Sequence, residues 1–162
     1  MKKRFLIYIM IGIVFGMFDF YFHRFISNAL GQGGTIWKMF TYGIWLVPLI
    51  PITLFEIRIS QSKLRTALAG SFTWIFSIIS YYLFMAIQFA FIGIETRPEL
   101  HITGLGEDPY FWGNWRSVFW EDIVGNIIEW SGVAIGGGFI LGLLMSMIYH
   151  YLLKLTIKNG EI

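Results

Sequence analysis

The chain has 162 residues, of which 56% are hydrophobic and 19% aromatic, while only 14% are charged. This composition does not fit a soluble domain of this length, and it indicates that the lipid bilayer is the solvent. Cysteine is absent, which excludes disulfides and thiol-ligated metals.

Four apolar stretches each reach the roughly 20 residues that a helix needs to cross the hydrocarbon core of a bilayer. They cover approximately residues 5–22, 36–55, 67–92 and 123–153, and we number them spans 1 to 4. A β-barrel would require polar and apolar residues to alternate, whereas the run 5–18 is apolar on every side. We therefore predict an all-α membrane protein, residues 1–162, folded as one bundle of four transmembrane helices.

Span 1 follows Lys2, Lys3 and Arg4, and the residues at 27–29 imitate the cleavage site of a secretory signal. Its apolar stretch is too long for a signal peptide, so we expect a retained membrane anchor. In span 2, Pro48 and Pro51 predict a bend, because proline removes a backbone donor and crowds the preceding turn.

Glycines spaced four residues apart occur in spans 1 and 4, and such residues let helix backbones approach closely in lipid. They are Gly12, Gly16, Gly132, Gly136, Gly138 and Gly142. We predict that spans 1 and 4 are the close-packing helices. The sequence leaves two packing partners open for these helices: the two spans pack on each other, or they pack on a second copy or another membrane protein.

Lysine and arginine are unevenly divided between the two ends of the bundle. One end carries Lys2, Lys3, Arg4, Arg58, Lys63, Arg65, Lys154 and Lys158. The other carries Arg24, Lys38, Arg97 and Arg116 against the acids Glu95, Glu99, Glu107, Asp108, Glu121 and Asp122. Because basic connections stay inside, both termini are predicted to be cytoplasmic in the cell membrane. A basic inner face and an acidic outer face argue against nucleic acid as a partner.

The connection between spans 3 and 4, about residues 93–122, is predicted to be an acidic, aromatic-rich outer loop. Pro98 and Pro109 break regular structure there. Phe111, Trp115 and Phe119 follow at helical spacing, which makes a short helix on the membrane surface plausible. Its aromatic residues fit a belt at the lipid headgroups or a platform for a lipid or ligand.

Polar residues collect near the predicted outer ends of three spans. Glu129 shares a helical face with Asn126 and Asp122, and Asp19 lies on the order of 7 Å below Arg24 along span 1. We call the predicted group the outer polar cluster. Its members are Asp19, His23, Gln88, Arg116, Asp122, Asn126 and Glu129.

Two interpretations of this cluster are open. Asp19 and Glu129 could bind a cation or a polar head group, or share a proton in acid–base work. Alternatively, Asp19 pairs with His23 or Arg24, while Glu129 and Asp122 meet Arg116 or water at the interface. The histidines do not have metal-ligand spacing, so neither a metal nor a cofactor is expected.

Arg116-Ser117, Asp122 and Asn126, preceded by a proline-containing span, a basic loop and a span with Gln88, resemble the VanZ-like membrane proteins. The chain departs from that family at Glu129, where glycine is typical, and it lacks the acid that usually precedes the glutamine. The resemblance covers the last two thirds of the chain. It implies a role at the cell envelope in glycopeptide-antibiotic resistance.

Two functions from different classes follow. The first, which the sequence favours, is a non-enzymatic accessory protein of the envelope that packs with a membrane protein or with its own copies. The second is an outward-facing site that binds or processes an amphiphile or a cation. A four-helix transporter is a weaker alternative, because we find no charged residue near the middle of a span.

Overall fold

The computed structural model describes residues 2–92 and 110–158, without the side chains of residues 2, 157 and 158. These residues form helices and contain no strand. In chain order the helices are α1 Lys2–Leu30, α2 Thr35–Gly43, α3 Leu46–Ser60, α4 Lys63–Ile87, α5 Phe111–Val118 and α6 Gly125–Lys158. Two π-helical turns, Gln88–Ile92 and Phe119–Val124, extend α4 and join α5 to α6.

Four helical segments are long and apolar enough to cross a membrane, which confirms the coarse prediction of an all-helical protein with four spans. They are Lys3–Leu30, Thr35–Ser60, Lys63–Ile92 and Phe111–Thr156. Span 2 therefore consists of α2 and α3. Span 4 is the long helical run that begins with α5.

The fourth helical run begins at Phe111, inside the segment predicted to be the outer loop. Three aromatic residues at helical spacing, Phe111, Trp115 and Phe119, explain the difference, since they pack on protein. Phe111 is buried, and the rings of Trp115 and Phe119 stack with centroids 5.2 Å apart against the core of the bundle. This apolar face favours a helix that continues into span 4 over a loop. Residues 93–109 of the predicted loop lie outside the described residues.

The bend in span 2 lies at Ile44 and Trp45, just before Pro48. Proline has no N–H to donate to the Ile44 carbonyl, which accepts a bond from the Val47 N–H instead, at 3.0 Å. The Trp45 carbonyl accepts a bond from the Trp74 indole on α4, at 2.8 Å. This bond holds the interruption of span 2 against α4.

Helix α4 is the centre of the bundle, because α1, α3 and α6 all pack against it. A Cβ atom at Gly12 or Gly16 of α1 would lie 2.6 or 2.2 Å from a carbonyl oxygen of α4. A Cβ at Gly138 or Gly142 of α6 would lie within 2.9 Å of α4 backbone. Spans 1 and 4 thus approach span 3 closely instead of each other.

Gly132 and Gly136 differ from the other four glycines. A Cβ atom at either position would meet no described atom within 4 Å, and both glycines are exposed. Any packing partner for them lies outside the part of the chain that the structure describes.

Candidate functional site

All four spans enclose a cavity of about 840 Å³ at the end of the bundle where α1 ends and α6 begins. We call it the Asp19 cavity. Its walls come from the last half of α1, from α2, from the middle of α4 and from the start of α6. Small-molecule sites typically measure about 300–1,000 Å³, so this space is large enough for a ligand.

Asp19 lies on the α1 wall of the cavity and is only 4% exposed. Its position follows from the helical repeat: Tyr8, Gly12, Phe15 and Asp19 fall on one face, which is buried in the bundle. The close approach of α1 to α4 at Gly16 holds this face against its neighbour. A carboxylate is therefore fixed deep in the wall of a ligand-sized space.

His23 follows Asp19 by one turn and also lines the cavity. Its ring packs edge-on against Trp37 at 5.4 Å between centroids and against Tyr81 at 6.4 Å. The Trp37 indole N–H donates to the Ser27 hydroxyl at 3.1 Å, which ties α2 to the end of α1. At the cavity, span 1 is thus joined to span 2 by a ring contact and a hydrogen bond, and to span 3 by a second ring contact.

Thr41 adds a second buried polar group to the cavity wall. It lies on α2, where it is the buried residue of an otherwise exposed helix, and it is 7% exposed. Among the described residues its hydroxyl has no hydrogen-bond partner. A buried polar group without a partner is costly, so an unpaired hydroxyl in the wall of a cavity favours a binding role.

Aromatic rings form much of the remaining wall. Trp45 and Trp74 meet edge-to-face at 6.1 Å, and Tyr42 of α2 stacks on Trp130 of α6 at 6.5 Å. The indole N–H of Trp74 is already bonded to a backbone carbonyl, as is that of Trp37 to a hydroxyl. These two indoles therefore offer a ligand their π surfaces and not their donors.

Helix α6 contributes Asn126 and Glu129 to the cavity. The Asn126 amide donates to the backbone carbonyl of Asp122, which fixes the amide at the start of α6. Glu129 is exposed, in contrast to Asp19. The two carboxylates of the outer polar cluster thus border one space, one buried and one open to the surroundings.

Only part of the outer polar cluster meets at this cavity: Asp19, His23, Asn126 and Glu129 line it, and the other three members do not. Gln88 is buried elsewhere, and its amide donates to the Tyr21 hydroxyl at 3.3 Å. Arg116 is exposed on α5. Asp122 lies within the π-helical turn, whose wider repeat interrupts the α-helical face assumed from the sequence.

A buried charged cluster at the opposite end was not predicted from the sequence. Glu56 is 0% exposed, and its Oε2 atom accepts hydrogen bonds from Tyr8 Oη at 2.7 Å and from Arg4 Nη1 at 3.2 Å. Its Oε1 atom has no partner among the described residues. The predicted span 2 ended at residue 55, which left Glu56 in a connection. Its helical spacing from the buried Leu49 and Ile52 would have indicated an inward face.

Two kinds of cavity residue were also missed, namely the Thr41 hydroxyl and the aromatic walls of α2 and α4. A signal existed for Thr41, since this polar residue stands between two aromatic ones, Phe40 and Tyr42, in span 2. For the tryptophans the sequence gives no such signal, because aromatic residues are common at any depth of a span. Neither a family model, nor a curated protein, nor a solved structure matches this chain.

Proposed function

We propose that this protein is a small polytopic protein of the cell membrane whose Asp19 cavity faces outward and binds an amphiphile or a cation. One observation carries the proposal: a ligand-sized cavity between all four spans has a buried carboxylate and an unpartnered hydroxyl in its walls. Ionisable groups are expensive inside a membrane and usually mark function there.

The outward orientation rests on the distribution of basic residues, which puts both termini in the cytoplasm. The cavity lies at the other end of the spans, beside the end of α1 and the start of α6. A ligand would thus enter from outside the cell or from the outer leaflet. A role at the cell envelope, including the resistance role that a VanZ-like relationship implies, is compatible with such a ligand.

The non-enzymatic accessory protein is the competing proposal. A protein that acts only by packing with partners gains nothing from an open cavity of this size, whereas a binder requires one. The accessory function also predicts that Asp19→Asn and Glu129→Gln are tolerated. The binding function predicts that Asp19→Asn abolishes function while expression and fold persist.

Single cysteine variants test the cavity directly, because the natural chain has no cysteine and gives no background. Val133 lines the cavity and Ile135 does not, although the two lie on the same helix and are exposed to 54% and 53%. We would treat intact cells with a membrane-impermeant thiol reagent and compare the labelling rates of Val133→Cys and Ile135→Cys.

If the cavity is open to water from outside, Val133→Cys reacts at least about tenfold faster, because a thiol in lipid stays protonated and unreactive. Equal rates, or no labelling of Val133→Cys, would contradict an outward-open cavity. Labelling from the cytoplasmic side alone, in inverted vesicles, would reverse the orientation.

A further inference from the structure

The charges around the Asp19 cavity favour a positively charged ligand. Two acidic side chains, Asp19 and Glu129, and two basic ones, His23 and Arg24, lie in its wall. Asp19 is 4% exposed, whereas Arg24 is an exposed residue five positions further along α1, about 7 Å closer to the end of the helix. The most buried of these four groups is therefore an acid, and both basic groups lie nearer the end of α1.

The aromatic walls restrict the cation to an organic one. A cation over an aromatic face is attracted by the ring quadrupole, and the attraction grows when water is excluded. Trp45, Trp74, Tyr81 and Trp130 all line the cavity. Since the Trp74 N–H is already bonded to a carbonyl, this ring has its π surface to offer.

A bare metal ion fits the cavity less well. Within residues 2–92 and 110–158, no three histidine or acidic side chains come together in a group that could hold a metal. The volume of about 840 Å³ also greatly exceeds that of a metal ion with its ligands. Large size, π surfaces and one buried carboxylate instead match a bulky cation with a diffuse charge.

We propose that the ligand of the Asp19 cavity carries an organic ammonium group, which Asp19 pairs with and the surrounding aromatic rings enclose. This inference rests on the proposed function and names the ligand class of the same site. The Thr41 hydroxyl lies in the same wall and lacks a partner among the described residues, so it is available to a ligand that carries the ammonium group. A soluble ammonium compound and an ammonium lipid head group share this chemistry.

The test uses the full-length Val133→Cys protein in liposomes and measures how far added compounds slow thiol labelling. The cationic probes are benzylammonium and benzyltrimethylammonium; the size-matched controls are neutral tert-butylbenzene and anionic benzenesulfonate. We expect a cationic probe to slow labelling at a concentration at least about tenfold below either control. Equal protection by cationic and neutral probes would overturn the inference.

The lipid composition of the liposomes distinguishes a soluble ammonium compound from an ammonium lipid head group. Slower labelling in phosphatidylcholine than in phosphatidylglycerol liposomes, before any probe is added, identifies an ammonium head group as the ligand. Equal labelling in both lipids together with protection by a soluble probe identifies a soluble cation. If Val133→Cys is not labelled at all, the proposed function itself is refuted. If it is labelled but cationic and neutral probes protect it equally, only the assignment of an ammonium ligand is refuted.

Substitutions test which side chains bind the cationic probes. Asp19→Asn is expected to weaken protection by the cationic probes at least about tenfold, since it removes the buried charge. Trp130→Leu should weaken it about twofold to thirtyfold by removing a π surface, while Trp112→Leu, outside the cavity, should not. Undiminished protection in Asp19→Asn would contradict the assignment. If that variant does not fold, the comparison of probes on the Val133→Cys protein decides alone.

Discussion

From the close approach of α1 to α4 at Gly16 we predict that a larger residue at this position destabilises the protein. The Cβ atom of an alanine at position 16 would lie 2.2 Å from the Ser77 carbonyl oxygen, about 1.2 Å inside the 3.4 Å where ordinary contact begins. The carbonyl belongs to the α4 backbone and cannot rotate away. Relief therefore requires the two helices to separate by roughly 1 Å, which forfeits about a quarter to a half of the attraction at each affected contact.

Overpacking of a tight interior costs about 1–3 kcal/mol, and a backbone clash of this depth belongs at the upper end. We expect Gly16→Ala to lower the free energy of unfolding by about 3 kcal/mol. Gly132→Ala is the matched control, because a Cβ there meets no described atom within 4 Å. Alanine also has a better intrinsic helix propensity by about 1 kcal/mol, so this control should be neutral or slightly stabilised.

The assay is unfolding of the purified protein in mixed micelles of maltoside and dodecyl sulfate, followed by circular dichroism and tryptophan fluorescence. We expect the unfolding midpoint to shift to a lower dodecyl sulfate fraction for Gly16→Ala and not for Gly132→Ala. Identical midpoints for Gly16→Ala and the wild type would show that α1 does not approach α4 as closely as the structure has it. Destabilisation of Gly132→Ala by a similar amount would point to a contact with a second copy or a partner.

Three further predictions concern the rest of the bundle. Glu56→Ala leaves the Arg4 guanidinium and the Tyr8 hydroxyl without their acceptor and should lower the free energy of unfolding by about 3 kcal/mol, measured in the same micelles. Trp74→Phe removes the donor to the carbonyl at the bend of span 2 and should cost about 1–3 kcal/mol, while Trp112→Phe on the exposed surface should cost nothing measurable. Reporter fusions should place both termini in the cytoplasm and an insertion within residues 93–109 outside; termini found outside would refute the orientation.

The fold was largely predictable because a bilayer restricts which sequences can cross it. Only a long apolar helix satisfies its backbone inside lipid, so the four stretches sufficed to predict four spans. The residues at which the helices begin and end were harder to predict. Helix α1 continues to Leu30 and span 4 begins at Phe111, and single residues beyond the apolar stretches, Ile26 and Phe111, are buried against protein.

Which polar groups meet was only partly predictable. Depth along a helix follows from counting residues, and it placed Asp19 and Glu129 near the same end of the bundle. Counting residues does not give the rotation of a helix about its own axis. The π-helical turn at Asp122 shows how one wider turn changes the face on which a residue lies. Gln88 lies near the end of α4, as its sequence position requires, but its amide contacts Tyr21 and does not line the cavity.

The amino-acid pattern therefore sufficed for the number of spans, their apolar character and the position of each polar residue along its helix. The packing of the helices, in contrast, makes α4 the central helix, buries Glu56 against Arg4 and Tyr8, and brings Thr41 and the tryptophans into the wall of the same cavity as Asp19. The physical reason is the bilayer: lipid is as apolar as the protein interior, so a spanning helix is hydrophobic on all sides and its pattern does not reveal the packed face. That face is set by close contacts, such as those of Gly12 and Gly16 with α4, which exist only once the helices have met.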